Sequence, residues 1–346
     1  MRITFVLERA DLSGGVRVVV EHAKQLQQRG HTVVVAYMPW PPQTWRSRVK
    51  TMVGVGHSPS PSHLDGSGVP HKQIESITDD QIPDGDAVIA TWWRTAEPVV
   101  KLSSSKGSKF HLIQHYETWG GPPVQVDAVW RLPLKRIVIS RWLADLAAQK
   151  FGEKNVPVVF NGVDHRQFNA PPRGKQSVPT VGMLYSATPF KGGDVALAAF
   201  EMVRLAIPNV KLIAFGTCPL VDQLPLPAGA EYIRNPPQYE LAGFYSSCDV
   251  WLCGSRTEGF HLPPLEAMAC RCPVVSTRVG GPVDIISDGV DGFLADDAAG
   301  LASRIKQVLG LSDPSWRELS QAAFATAGRY SWQDAGARLE QVLLHP

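Results

Sequence analysis

The chain has 346 residues, 44% of them hydrophobic and 19% charged, with a formal net charge of +2. That length exceeds what one hydrophobic core usually supports, so two domains are expected. The near-neutral balance gives no electrostatic footprint for nucleic acid, and no apolar stretch reaches the roughly 18 residues that a spanning helix needs.

The chain opens on an apolar strand, Ile3 to Leu7, followed by a loop ending in Ser13, Gly14 and Gly15. A helix comes next, in which Val16, Val19, Val20, Ala23 and Leu26 recur on one face. Gly30 ends it, and the run TVVVA after His31 suits a central parallel strand, completing a βαβ unit. From Pro39 to Pro83 the pattern weakens into an irregular segment rich in proline, serine and glycine. Strands are expected at Ala87 to Thr91, Phe110 to Gln114, Arg136 to Ile139 and Val156 to Phe160. A helix is expected from Arg141 to Phe151, capped by Ser140 and ended by Gly152.

The stretch PPRGKQSVP, Pro171 to Pro179, reads as a linker. Strands then resume at Thr180 to Tyr185, Val210 to Phe215, Asp249 to Cys253 and Pro273 to Ser276. A last helix, Trp332 to Leu344, has no strand after it. The fold class is therefore α/β, with two doubly wound Rossmann-like domains over 1–170 and 180–330 and a terminal helix over 331–346. Ligands of such sheets gather outside the carboxyl ends of the strands.

Five cysteines, Cys218, Cys248, Cys253, Cys270 and Cys272, all fall in the second half. The spacing of Cys270 and Cys272 does not fit a CxxC metal or redox site, so all five are expected to be reduced and buried. The N-terminal run ITFVL is too short for a signal peptide, and the expected compartment is the cytoplasm.

The segment carrying chemistry is SRTEGFHLPPLEAMACRCPVV, Ser255 to Val275, directly after the strand DVWLC. Glu258 falls in the loop leaving the strand, Pro263 and Pro264 suit the first turn of a helix, and Glu266 lies just inside it. The free N–H groups of such a helix start attract phosphate. A carboxylate on each side would repel phosphate but accept hydrogen bonds from ribose or hexose hydroxyls. The two glutamates could equally be a surface residue and a helix-end charge complement. Asp84, Gly85 and Asp86 spell DGD, the form of a metal-binding motif, but their place just before the strand AVIAT favours a turn, and no metal site is expected.

That segment resembles the Glu, seven residues, Glu motif of the retaining family 4 glycosyltransferases (glycosyl transferases group 1), close to EGFGLPPLEAMACGxPVV. The stretch VGGPVDIISDGVDGFLADD, the segment ending in Asn161, Gly162, Val163, Asp164 and Phe168, and the terminal YSWQDAGARLEQV are similar to further parts of the same family. The resemblance implies a GT-B architecture, two domains facing a central cleft with the last helix crossing back to the first. It implies sugar transfer from a nucleotide-diphosphate donor to a glycan, lipid-linked or small-molecule acceptor, with retention, no metal and no further cofactor. Peripheral contact with the inner face of the membrane stays open.

Carried over by position, Glu266 would bind the donor ribose and Glu258 would face the donor sugar. The backbone of Gly259, Phe260 and His261 would lie along sugar and diphosphate. Lys191 in FKGG resembles the family lysine that neutralises the diphosphate, Gly14 and Gly15 resemble its glycine loop, and His115 in LIQHYETW resembles its histidine beside the transferring sugar. By themselves a lysine before a helix is often just solvated, a glycine pair is weak evidence, and a histidine after a strand is often packing. The aromatics Trp92, Trp93, Tyr116 and Trp119 suit an acceptor but also an ordinary core.

The chain departs from the family pattern at Met183, where an arginine is usual; Arg256, Arg141 or Arg9 could supply that charge. It departs again at His261, where the family has glycine, and at Asp284, where it often has glutamate. The rival functions are a sugar-nucleotide epimerase, a glycan phosphorylase, and an inactive donor-binding scaffold.

Overall fold

The structure, a computed structural model, describes residues 1–40 and 61–345. The irregular segment expected between Pro39 and Pro83 thus lies partly, over 41–60, outside the described residues. Contacts divide the chain into two compact units. The first holds Met1–Ile139, Leu143–Val159 and the stretch from Trp332 onward; the second holds Ser140–Trp142 and Phe160–Ser331.

In the first unit, β1 (Arg2–Leu7), β2 (Thr32–Tyr37), β3 (His71–Gln73), β4 (Ala87–Ala90), β5 (Ser108–Ile113) and β6 (Lys135–Val138) form one sheet. Its order is β3-β2-β1-β4-β5-β6, and every neighbouring pair is parallel. β4 is buried throughout and β1 in all but its first residue, Arg2, as a sheet covered on both sides requires. One layer packs Val6, Ala36, Val88 and Ala90 against Ala96 and Val99 of α2 (Trp93–Lys101).

Helix α1 (Gly14–Gln28) starts with Gly14 and Gly15 in its first turn rather than in the preceding loop, and Ser13 caps it by accepting the Val16 N–H. The terminal helix α11 (Trp332–Leu344) packs on α1. Gly336 makes this possible, since a Cβ there would sit 2.4 Å from the Gln25 Cβ. Glu340 closes the contact, bonded to Arg29 Nε at 2.6 Å and His31 Nε2 at 2.7 Å.

The second unit repeats the plan with β7 (Thr180–Leu184), β8 (Lys211–Gly216), β9 (Glu231–Arg234), β10 (Val250–Cys253), β11 (Val274–Thr277) and β12 (Phe293–Ala295). The order is β12-β11-β10-β7-β8-β9, again all parallel. Helix α5 (Gly193–Ala206) and α9 (Ala298–Gly310) bury Ala196, Phe200, Leu301 and Ile305 against Met183 and Leu252. Met183 is 1% exposed, so the position where an arginine is usual is here part of the core.

Further sequence expectations change. Val156 to Phe160 is not a strand but a single bridge, Val158 to Val138. Ser140 does not cap α4 (Arg141–Phe151): its hydroxyl is buried without a partner, and the Asp284 carboxylate accepts the Arg141 N–H at 2.7 Å instead. The Pro171 to Pro179 stretch lies within the second unit, whose share of the chain starts earlier than expected. The reason is that this extended segment is bonded in. Asp249 accepts the N–H groups of Gln176 and Thr180 at 2.7 and 2.9 Å, and Asp313 accepts that of Lys175 at 2.8 Å. Cys218 is half-buried, the other four cysteines are buried, and all five are free.

His22 on α1 is fully buried, edge-on to Trp332 with ring centroids 5.5 Å apart, and neither ring nitrogen has a partner. Burial pushes its pKa down to about 4, and burial with the nearby Arg136 pushes His111 on β5 to about 3. Both are neutral when folded but take up a proton when unfolded below the ordinary histidine range, so acidification favours the unfolded chain. At pH 5 each should cost about 2 kcal/mol. Urea unfolding should show a lower midpoint at pH 5 than at pH 7. His22→Phe, which keeps the edge-on contact, should recover part of the loss; equal midpoints in the parent protein would refute this.

Candidate functional site

In the second unit the chain builds outward from β7 to β9, then restarts on the other side of β7 with β10. The strand order therefore reverses between β7 and β10, and the crevice outside their carboxyl ends is where such sheets bind ligands. The two loops leaving these strands carry Lys191 and Glu258.

Lys191 closes a short 3-10 turn, Pro189–Lys191. Gly192 follows at φ 57°, and a Cβ there would lie 1.9 Å from the Gly254 carbonyl oxygen. Gly254 is as tightly held, its missing Cβ falling 2.7 Å from both Ala196 N and Gly192 O. Two glycines thus let the β7 and β10 loops touch backbone to backbone. Arg256 braces the same turn. Its N–H donates to Phe190 O, and its guanidinium donates to Pro189 O at 2.8 Å and to both Asp194 oxygens at 2.8 and 2.6 Å.

The result is an ion pair. Lys191 Nζ lies 2.9 Å from both Glu258 oxygens, and Ser255 Oγ donates to Glu258 Oε1 at 2.8 Å. Glu258 is only 4% exposed. Burial opposes its ionisation, but His261, Lys191 and Ser255 together outweigh that and hold its carboxyl below the usual range. Ser255 was not singled out from the sequence; no spacing rule pairs a serine with a lysine so far upstream.

Behind the loop, Gly280 and Gly281 open α8 (Gly280–Ile285) and lie flat on the loop backbone. Their missing Cβ atoms would fall 2.0 Å from Glu258 O and 1.8 Å from Phe260 O. Trp142 Nε1 donates to Gly259 O at 2.9 Å. Helix α7 (Leu262–Ala269) follows with His261 at its N-cap and buries Glu266, whose carboxylate accepts the Tyr245 hydroxyl at 2.7 Å. Tyr245 stands on α6 (Leu241–Ser246), and sequence reading had no cue for it. A cavity of about 10 Å³ lined by Lys191, Gly254, Ser255 and His261 lies at the centre.

Lys191, Glu258, Gly259, Phe260, His261 and Glu266 all belong to the second unit; Gly14, Gly15 and His115 belong to the first. There the strand order reverses between β1 and β4, and these residues lie past the carboxyl ends of β1 and β5. Gln114 Nε2 donates to Gly15 O at 3.2 Å. His115 Nδ1 is 3.0 Å from Tyr116 O and 3.3 Å from the Trp119 Nε1–H donor.

The four aromatics divide. Trp119 is 49% exposed and packs on Trp92, while Tyr116 is tied to Asp127 at 2.6 Å. Trp92 and Trp93 cover Gly120 and Gly121. Glu117, missed in the sequence, is buried and accepts the Trp93 N–H at 2.8 Å. Burial keeps its carboxyl well above the usual range.

Of the other arginines considered, Arg141 lies 3.9 Å from Asp284, and Arg9 in the first unit stands 4.4 Å over the Trp40 ring. Asp84 bonds Lys106 at 2.7 Å and Asp86 bonds the Arg2 N–H at 2.6 Å, at the amino end of β4. Among the described residues no cluster of three or more His, Cys, Asp or Glu could hold a metal, and no helix is long and apolar enough to cross a membrane. A larger cavity, about 380 Å³, runs along α2 and α3 (Pro123–Val129), but its Lys101 and Arg94 are paired with Glu97 and Glu8.

The fold is GT-B, shared with the solved structure of Anabaena Alr3699/HepE in complex with UDP-glucose, at TM-score 0.77 and 17% identity over 100% of both chains. The sucrose-phosphate synthase of Thermosynechococcus elongatus matches at TM-score 0.73 and 16% identity, over 100% of this chain and 98% of that one. Residues 175–310 match the model of the family described as glycosyl transferases group 1.

A D-inositol 3-phosphate glycosyltransferase of Segniliparus rotundus is 31% identical over 46% of this chain and 37% of its own length. The GDP-mannose-dependent alpha-(1-6)-phosphatidylinositol monomannoside mannosyltransferase of Mycolicibacterium smegmatis is 28% identical over 66% of this chain and 68% of its own. The chain therefore spans little more than a third of the first of these relatives.

The loop contact offers a direct test. Gly192→Ala would place a methyl inside the Gly254 carbonyl and force a left-handed alanine, and should cost about 2–4 kcal/mol. Thermal unfolding would show it; a melting temperature unchanged from the parent protein would contradict the backbone contact.

Proposed function

We propose that the protein transfers a sugar from a nucleotide-diphosphate sugar to a hydroxyl acceptor, with retention and without a metal. The observation that carries the proposal is the Lys191–Glu258 pair at the carboxyl ends of β7 and β10. It sets one cation and one carboxylate beside the N-terminus of α7, where diphosphate and sugar need opposite kinds of partner. The relatives support it: one is named as GDP-mannose-dependent and a structural neighbour holds UDP-glucose.

In this reading Lys191 leaves Glu258 for the departing diphosphate, whose negative charge grows as the glycosidic bond breaks. Glu258 then faces a ring that becomes cationic. Glu266, fixed by Tyr245, accepts the ribose hydroxyls, and the backbone of Gly259, Phe260 and His261 lies along the donor. Gly14 and Gly15, lacking Cβ atoms, admit the phosphate closely, and His115 serves the transferring sugar. The acceptor, a glycan or lipid-linked hydroxyl, meets the exposed Trp119 face of the first unit, at a cytoplasmic site.

Two experiments test this. Glu266 makes its bond in ground and transition states alike, so Glu266→Ala should mainly raise the donor KM. Glu258→Gln should instead lower kcat by about 2–3 kcal/mol of barrier with nucleotide affinity nearly intact. Steady-state kinetics with a UDP-, GDP- or dTDP-sugar, together with calorimetry, would decide; loss of nucleotide binding in Glu258→Gln with both constants intact in Glu266→Ala would reverse the assignment.

Turnover should also survive EDTA. Complete loss restored by Mn²⁺ would show that a metal carries the leaving-group charge.

A further inference from the structure

Among the described residues, four that are not glycine take a left-handed backbone: Asn155, Asn235, His261 and Arg271. Asparagine tolerates that region; histidine and arginine do so at a cost. Arg271 recovers its cost in bonds. Its guanidinium donates to Ala170 O at 2.9 Å and Gln321 Oε1 at 2.6 Å and lies 3.9 Å over the Phe324 ring.

His261 recovers nothing comparable. It sits at φ 69° with its side chain 4% exposed. Its Nε2 is 3.5 Å from Glu258 Oε1, longer than a normal hydrogen bond, and its Nδ1 is buried with no partner at all. A strained backbone and an orphaned polar atom together, in the wall of the candidate site, mark a group kept for something the free protein lacks.

We propose that the His261 side chain determines donor specificity, its Nδ1 forming a hydrogen bond with one hydroxyl of the donor's sugar. This rests on the sugar-transfer reading above. The surroundings argue for a hydroxyl over a phosphate oxygen. Lys191 and Glu258 cancel in charge, and an anion at this spot would face the Glu258 carboxylate at close range. Burial holds the His261 pKa at about 4, so near neutrality the ring is an uncharged partner. The cavity it lines, about 10 Å³, has room for a group the size of one water or hydroxyl. A site built to bond a hydroxyl also rejects analogues that lack it, because its own polar atom is then left unpaired.

His261→Gly tests the proposal without endangering the fold, since glycine is at ease at this φ. Dissociation constants would be measured by calorimetry for nucleotide diphosphates and for a panel of nucleotide sugars differing at single hydroxyls. The variant should lose about tenfold of the preference between the best sugar and its epimer or deoxy analogue, a ratio of its own constants that a uniform change in nucleotide affinity would not move. His261→Asn, which suits the left-handed region and offers a polar atom near the place of Nδ1, should restore part of that preference. An undiminished preference in His261→Gly would overturn the inference and leave the sugar-transfer reading standing. Failure of the parent protein to bind any nucleotide sugar would overturn both.

Discussion

A carboxylate can be buried only if its charge is answered on the spot, and Glu258 is the point on which the second unit turns. Desolvating an ion costs several kcal/mol even after the surroundings relax. Here Lys191 meets both oxygens, Ser255 donates to one, and the carboxyl stays ionised. That answer depends on backbone geometry. Lys191 and Ser255 come from loops on different strands, and they meet because Gly192 and Gly254 let the loops close to carbonyl contact. Arg256 then holds the lysine turn from outside through Asp194 and Pro189.

The same economy governs the rest of the loop. Gly280 and Gly281 press on its carbonyls, Trp142 bonds one of them, and Tyr245 fixes Glu266 on the helix beyond. Among the described residues, His261 Nδ1 is buried beside this loop without a partner. The first unit shows the opposite treatment of a carboxyl. Glu117 accepts one backbone N–H, and burial pushes its carboxyl well above the usual range. Two carboxyls with similar burial are therefore pushed in opposite directions, Glu258 downward with Lys191 on both its oxygens and Glu117 upward by burial.

Much of the architecture was legible in the chain because a parallel sheet buried on both faces leaves long apolar runs between turn residues. TVVVA, AVIA and VWLC all became central strands, and the helices over 141–151 and 332–344 begin and end where their patterns do. The edge strands β3, β9 and β12 were not found. All are short: β3 is exposed along its whole length and β9 is no more than half-buried, while β12 is apolar and buried but only three residues long, too little for a pattern to show. Val156 to Phe160 misled in the other direction: it is apolar because it is packed, yet it makes one bridge only.

By itself the sequence determined the α/β class, the doubling of the sheet and the segment holding Glu258 and Glu266, because these follow from local periodicity and a motif along the chain. Tertiary structure alone decided who meets whom. Ser255 and Lys191 share Glu258 across a separation of more than sixty residues, Tyr245 reaches Glu266, Asp284 takes the capping role expected of Ser140, and α11 settles on α1 at Gly336. Such pairings are set by close packing between distant segments, where the absence of a single Cβ decides whether two backbones can touch. No periodicity records that, and so the charge state of the site is a property of the fold.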